Sequence, residues 1–453
     1  MDGVKEGEEQ DQPRAVGNLK RGGEIRARWA WVKAPIWTER MLEALERGVK
    51  GGKWHSLIDK VYREDNLRDA WRQVEEKQGG GGVDRVTIAE FGRHLDRRLE
   101  KLGEQLRTGS YEPQPVRRAW IPKLGGGKRP LGIPTVRDRV VQAALRNVIE
   151  PIYERRFGNE GSYGFRPGRG CKDALREVDR HLKAGRRWVV DVDIRSYFDS
   201  IPKDKLMREV AQEIADGGVL DLIERFLHQG VLEEMKLWEP ETGTPQGAVM
   251  SPLLANIYLH PVDVEIREGG YRMIRYADDM VILCESEEEA ERALRAITEA
   301  LERRGLELHP EKTKIVDATK RPGFQCLGYD FFEGRRYPRP PSQKKLREQI
   351  RKRTKRNRPD DIETIIRSIN YVLRGWYEYF KHSSSRAFKD LDGWVRFRLR
   401  AILSRRQGTS GTAGRGRGHD HYRWTNAYFR EHGLFIMAEA HALARQSRHR
   451  VTH

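Results

Sequence analysis

The stretch 271–284, YRMIRYADDMVILC, sets two apolar runs around a short polar turn, and it restricts the possible folds more than any other segment. Short β-prone runs flanking a tight turn read as a hairpin, with strands at 271–276 and 280–284. The surroundings extend the pattern. Upstream, WVVDVD at 188–193 reads as a strand and 203–227 as a helical region. Downstream, Ser286 and Glu289 have capping-box spacing, Ala290, Leu294, Ile297 and Leu301 share one helical face, Gly305 stands where that helix ends, and 306–316 holds a last strand or hairpin.

The order β-α-β-β-α-β is the split βαβ of the ferredoxin-like arrangement, which sets the first strand beside the hairpin. Asp278 and Asp279 occupy the turn, where aspartate is common and a solvated pair is the ordinary explanation. The first strand supplies Asp191 and Asp193, two apart and so on one face; either can join Asp278 at the strand ends. Clustered carboxylates call for cations. Magnesium takes oxygen ligands, and two such ions roughly 3.5–4 Å apart serve an in-line displacement by activating a 3′-hydroxyl and stabilising a leaving pyrophosphate. That is nucleotidyl-transfer chemistry, without a P-loop, since GGGKRP lacks the G-x-x-x-x-G-K-[ST] spacing.

With 453 residues and a formal charge of +18, the chain has room for about three domains and favours a polyanionic partner. No apolar stretch has the length of a membrane span and the first residues are acidic, so a cytosolic (cytoplasmic) protein without a membrane partner is expected. Cys171, Cys284 and Cys326 are far apart, which argues against a disulfide framework or a cysteine zinc site. Residues 1–30 read as a mobile leader, 37–62 and 67–76 as helical, and 120–124 and 128–134 as two strands joined by a glycine tip. A helix over 136–152 has Thr135 as N-cap, and Pro151 ends or kinks it. In the loop SYGFRPGRG at 162–170, aromatic rings alternate with Arg166 and Arg169; it reads either as a stacking and phosphate-contacting loop or as a buried aromatic turn.

Beyond Pro341 the character changes. Residues 344–358 carry nine Lys or Arg against Glu348. Two amphipathic helices follow, one with Ile362, Ile366, Ile369, Leu373, Trp376 and Phe380 on its apolar side, the other with Leu391, Val395, Leu399 and Ile402 and with Arg396, Arg398 and Arg400 interleaved. This predicts a helical domain with a basic face, then a flexible basic linker at 408–418 and a helical segment over 422–445.

The blocks GVDRVTIAEF, KRPLGIPTVRDRVVQAAL, SYGFRPGRGCKDAL, WVVDVDIRSYFDSI, GTPQGAVMSPLLANIYL, YADD, LHPEKTK and FQCLGYDF, in that order over 71–331, resemble the reverse-transcriptase motifs of bacterial group II intron-encoded proteins. PSQKKLREQI and INYVLRGWYEYF resemble their maturase region, and RWTNAYFREHGLF resembles tails seen in the family. The resemblance implies an α+β right-hand polymerase: an N-terminal leader and helical extension (1–56), fingers and a ferredoxin-like palm (57–337), an α-helical thumb or maturase domain (338–407), and a basic linker with a short nucleic-acid-binding tail (408–453). It implies an RNA-directed DNA polymerase with two Mg2+ ions on Asp193, Asp278 and Asp279, leaving Asp191 a supporting role. Lys123 and Arg129 would meet the triphosphate, Phe198 would crowd the sugar 2′ position and Gln246 would line the nucleotide pocket. Lys352, Arg353, Lys355 and Arg356 would bind RNA. The implied partners are the parent intron RNA, an RNA template with a DNA primer, target DNA and dNTPs, in splicing and retrohoming. No cysteines beyond Cys326 supply the endonuclease of some members, so that domain is expected to be absent. A domesticated or defence-associated reverse transcriptase without an intron, or chiefly an RNA-folding maturase, is the alternative.

Overall fold

The computed structural model describes residues 24–49, 51–122, 127–158, 161–233, 236–244, 247–407 and 418–451. It divides into two compact units, Met1–Arg186 with Val190–Ile315, and Arg187–Val189 with Val316–His453.

In the first unit, the segment expected as one helix over 37–62 is interrupted. Thr38 caps the helix Glu39–Arg47, after which Gly48, Gly51 and Gly52 take φ of 89°, 81° and 75°, conformations that glycine adopts without steric cost. Trp54 then bridges to Ile214 instead of continuing the helix. Asp216 explains a second break. Its carboxylate accepts from the backbone N–H of Leu57 at 2.5 Å and of Val219 at 2.9 Å, so the region 203–227 is two helices, Lys203–Glu213 and Gly217–Leu227, rather than one.

The strands Val116–Pro122 and Lys128–Ile133 pair antiparallel, and Val231–Glu233 and Lys236–Trp238 complete a four-stranded sheet. The helix Val136–Phe157 is capped by Thr135 as expected, but it passes through Pro151 instead of ending there. Val140, Val141, Leu145, Val148, Ile149 and Ile152 are all buried; this packing outweighs the one backbone hydrogen bond that the proline removes.

The palm sheet has the order Arg272–Tyr276, Asp279–Cys284, Trp188–Val192, Lys314–Asp317. Numbered along the chain this is 2-3-1-4, the ferredoxin-like order, with the first strand against the hairpin. The last strand is shorter than the 306–316 expected; its start survives as an isolated bridge between Ile194 and Leu308. The helices Ser251–Glu268 and Glu287–Glu302 pack on the hairpin strands.

In the second unit, a sheet of Arg335–Pro338, Tyr329–Phe332 and Phe324–Cys326 precedes the helices Pro340–Arg353, Ile362–Phe380 and Ser385–Arg406. Ile365, Ile366, Ile369, Leu373, Tyr377 and Phe380 are buried, so the inward face of Ile362–Phe380 is rotated slightly from the expected one, which had Ile362 and Trp376. Arg400 was expected on a basic face and is instead buried, donating to the Trp424 carbonyl at 2.9 Å and to Asn426 Oδ1 at 3.0 Å. The last segment is broken into Asn426–Glu431 and Met437–Val451; the Asp392 carboxylate caps the second by accepting from the N–H of Met437 and Ala438.

Candidate catalytic and nucleic-acid site

Tyr276 pairs with Asp279 across the hairpin, and Ala277 takes φ of 60° so that the chain reverses within two residues. Asp278 lies in the turn, half-buried, and Asp279 opens the returning strand, exposed. Asp193 directly follows the neighbouring strand. Its backbone is fixed by the segment 309–313, for the His309 N–H donates to the Asp193 carbonyl at 2.8 Å, and Lys312 Nζ lies 3.1 Å from Asp193 Oδ1. Among the described residues no three His, Cys, Asp or Glu side chains are close enough to hold one metal ion. The fold thus puts Asp278 and Asp279 side by side and Asp193 just past the end of the adjoining strand, with a lysine ammonium drawn to Asp193. Exposed carboxylate oxygens that attract a cation suit a hard divalent ion.

The turn is braced from behind by residues that sequence reasoning did not single out. The Arg275 guanidinium is fully buried; it donates to Asp263 Oδ1 at 2.7 Å, to Asn256 Oδ1 at 2.8 Å and to the Ala277 carbonyl at 3.1 Å. Burial works against its charge, but Asp263 outweighs burial and holds Arg275 above its ordinary range. Tyr197, also buried, donates to the Ala255 carbonyl at 2.6 Å; burial, aided by the charges of Asp263 and Asp278, pushes its hydroxyl well up. Only the apolar neighbours of Arg275 were visible as a strand pattern; a charged residue inside it was the available signal.

The loop at 162–170 lies along this hairpin. The Tyr163 N–H donates to the Arg275 carbonyl at 2.9 Å, and a Cβ on Gly164 would sit 2.3 Å from the Ala277 nitrogen, so only glycine fits there. Arg166 is buried and bonds to Glu154 and to the Ser162 carbonyl; the structure makes it an internal anchor and not a phosphate contact. Phe198 is 8% exposed in the short helix Tyr197–Ser200, its ring 5.4 Å from that of Tyr197 and its carbonyl accepting from the Thr244 N–H. Arg129 is exposed on Lys128–Ile133, opposite Ile121. Lys123 and Gln246 lie outside the described residues.

In the second unit Lys352, Lys355 and Arg356 are exposed. Arg353 is half-buried and donates to the Gln349 carbonyl at 3.1 Å. The sequence marks the basic residues nearby but not the aromatic ring around which three of them gather. Arg347, Arg351 and Arg398 each place a guanidinium within 5.6–5.8 Å of the Trp394 ring centre, within range of cation–π attraction. Arg398 is tied to Thr354 by bonds of 2.6 Å to Oγ1 and 2.7 Å to the carbonyl. Burial, then the charges of Arg351 and Arg356, lower Arg398 from its ordinary range. Arg347, Arg351 and Arg398 form no ion pair with a carboxylate among the described residues, so this face carries uncompensated positive charge, which favours a polyanion.

Residues 121–331 match the family model for reverse transcriptase (RNA-dependent DNA polymerase), and residues 343–419 match that for the group II intron maturase-specific domain. The group II intron-encoded protein LtrA of Lactococcus lactis is 44% identical over 169 residues, 37% of this chain and 28% of LtrA. Protein YkfC of Escherichia coli is 37% identical over 218 residues, 47% of this chain and 57% of YkfC. A 91 kDa protein from the cob intron of Schizosaccharomyces pombe is 45% identical over 165 residues, 36% of this chain and 20% of that protein. The chain thus spans less than two thirds of the length of each of these relatives. Among the described residues no helix is long and apolar enough to cross a membrane. With both domain models matched in succession, the chain joins a reverse transcriptase domain to a group II intron maturase-specific domain and is similar to group II intron-encoded proteins.

Proposed function

We propose that the protein is an RNA-directed DNA polymerase that also binds its parent group II intron RNA, supporting splicing and retrohoming in the cytoplasm. The observation that carries the polymerase reading is the sheet order, in which the strand that leads into Asp193 lies beside the strand that follows the Asp278–Asp279 turn. In this reading, residues 57–337 are fingers and palm, 338–407 the thumb, and 1–56 and 408–453 accessory segments.

Asp193, Asp278 and Asp279 would hold two Mg2+ ions, which when bound lower the charge on an attacking 3′-hydroxyl and on the leaving pyrophosphate. The chain's own contribution is placement. Arg275 and Asn256 fix the turn, and 309–313 fixes Asp193, so the carboxylates need not reorganise as charge develops. Lys312, whose Nζ lies 3.1 Å from Asp193 Oδ1, would supply positive charge for a phosphate beside that carboxylate. Lys123 and Arg129 hold the triphosphate, Gln246 lines the nucleotide pocket, and Phe198 crowds the sugar 2′ position. The substrates are dNTPs, an RNA template, a DNA primer and, in mobility, target DNA.

The second activity is supported by the uncompensated arginines around Trp394, together with Lys352, Arg353, Lys355 and Arg356. RNA binding by such a face releases counterions and weakens steeply with salt.

The polymerase reading is tested by primer extension on an RNA template with dNTPs, with Mg2+ present or withheld. Asp193→Asn and Asp278→Asn should each cut the rate on the order of a thousandfold while the protein stays folded. Near-normal extension by either variant would remove the reading.

A further inference from the structure

We propose that Phe165 is a nucleic-acid contact of the polymerase site, its ring packing against a sugar or base at the growing end of the primer–template hybrid; this rests on the polymerase reading above. Both neighbours of Phe165 are locked. Gly164 abuts the Ala277 nitrogen, and its carbonyl accepts from Asn256 Nδ2 at 2.8 Å. Arg166 is 5% exposed and donates to Glu154 Oε2 and to the Ser162 carbonyl, each at 2.9 Å. Between them Phe165 takes φ of 57° and leaves its ring 50% exposed. A non-glycine residue in the left-handed region is strained, and a large ring left in water gains nothing from folding, so both features belong to what the ring meets outside the fold.

The position names the partner. The loop is held to the strand that ends at the catalytic turn, since the Tyr163 N–H donates to the Arg275 carbonyl and the Arg275 N–H donates to the Gly161 carbonyl at 2.7 Å. The Phe165 ring centre is 6.3 Å from that of Tyr276, two residues before Asp278. That sets the ring beside the strand that leads into the Asp278–Asp279 turn. Every base and sugar offers an apolar face to an aromatic ring, so such a contact tolerates any sequence, as a polymerase needs. The rigid flanks mean that little ordering remains to be done on binding.

The test uses the full chain with a fluorescent RNA/DNA primer–template hybrid. Phe165→Ala retains the same class of backbone strain and deletes only an exposed ring. Its affinity for the hybrid, read by anisotropy, should fall about tenfold, the size expected for one lost stacking partner. Phe165→Trp should stay within about twofold of the parent. In steady-state extension the alanine variant should raise KM for the hybrid far more than it lowers kcat. Mn2+ binding, followed by electron paramagnetic resonance, should match the parent in both variants. A Phe165→Ala protein that binds the hybrid as tightly as the parent overturns the inference, as does a tryptophan variant as weak as the alanine one. A parent that neither binds nor extends the hybrid sinks the polymerase reading as well, whereas an active parent with an indifferent Phe165→Ala sinks this inference alone.

Discussion

The Asp278–Asp279 turn and the basic helices of the second unit both gather like charges, and they hold them in opposite ways. At the turn the acids are few, and an internal cation fixes the backbone that carries them: Arg275 is buried, neutralised by Asp263 and bonded to the Ala277 carbonyl. Around Trp394 the cations are many, and they lean on an aromatic ring and on Thr354 rather than on carboxylates. A group that must sit within a fraction of an ångström is worth a buried ion pair, because the pair specifies one geometry even where it adds little stability. A surface that must hold an extended polyanion needs net charge, and internal neutralisation would remove it.

The contrast breaks most visibly if Arg275 is only packing. Arg275→Met leaves Asp263 buried and uncompensated, and should destabilise the fold by about 3–5 kcal/mol. Combining it with Asp263→Leu should recover much of that loss without restoring extension activity. A denaturant midpoint that barely moves for the single variant, or activity regained by the double one, would contradict the bracing role.

A pH effect on the same unit comes from His260, whose ring packs 5.3 Å from Phe157 and which burial lowers to about 4. Its folded-state value lies below its unfolded one. The stability tied to the neutral ring is therefore complete above about pH 6.5 and is lost as the pH falls towards 4, by roughly 3 kcal/mol at most. His260→Gln should flatten the pH dependence of the unfolding free energy in that window; an unchanged slope would exclude His260 as its source.

The smallest effect is the most local. Phe198→Ala should let ribonucleotides in about tenfold more readily, a change of roughly 1.4 kcal/mol in discrimination. Unchanged selectivity with synthesis intact would return Phe198 to the core beside Tyr197.

The strand pattern and the turn were legible because short, continuous apolar runs and an acidic dipeptide between them are local signals. The palm order followed from element order alone. What stayed hidden depended on distant partners. Nothing local to residues 203–227 shows that Asp216 bonds to Leu57, nothing near Pro151 shows that its helix is buried on most sides, and Arg166, Arg275 and Arg400 look like surface charge until Glu154, Asp263 and Asn426 are brought to them. The same limit hid the cluster at Trp394, whose arginines come from two helices.

The central claim is that one chain carries a metal-dependent polymerase site and a separate charge-dependent RNA surface. The most direct test measures both activities on two proteins: Asp278→Asn, and a variant with Lys352, Arg353, Lys355 and Arg356 all replaced by Ala. Asp278→Asn should lose DNA synthesis and keep the parent's intron RNA affinity and salt dependence. The alanine variant should bind intron RNA more weakly with a flatter salt slope, by up to about 0.7–0.9 per lost phosphate contact, and should keep Mg2+-dependent addition of a nucleotide to a saturating short hybrid. If Asp278→Asn loses RNA binding together with synthesis, or if the four-alanine protein binds the intron as tightly as the parent across the salt titration, the separation of the two functions is wrong.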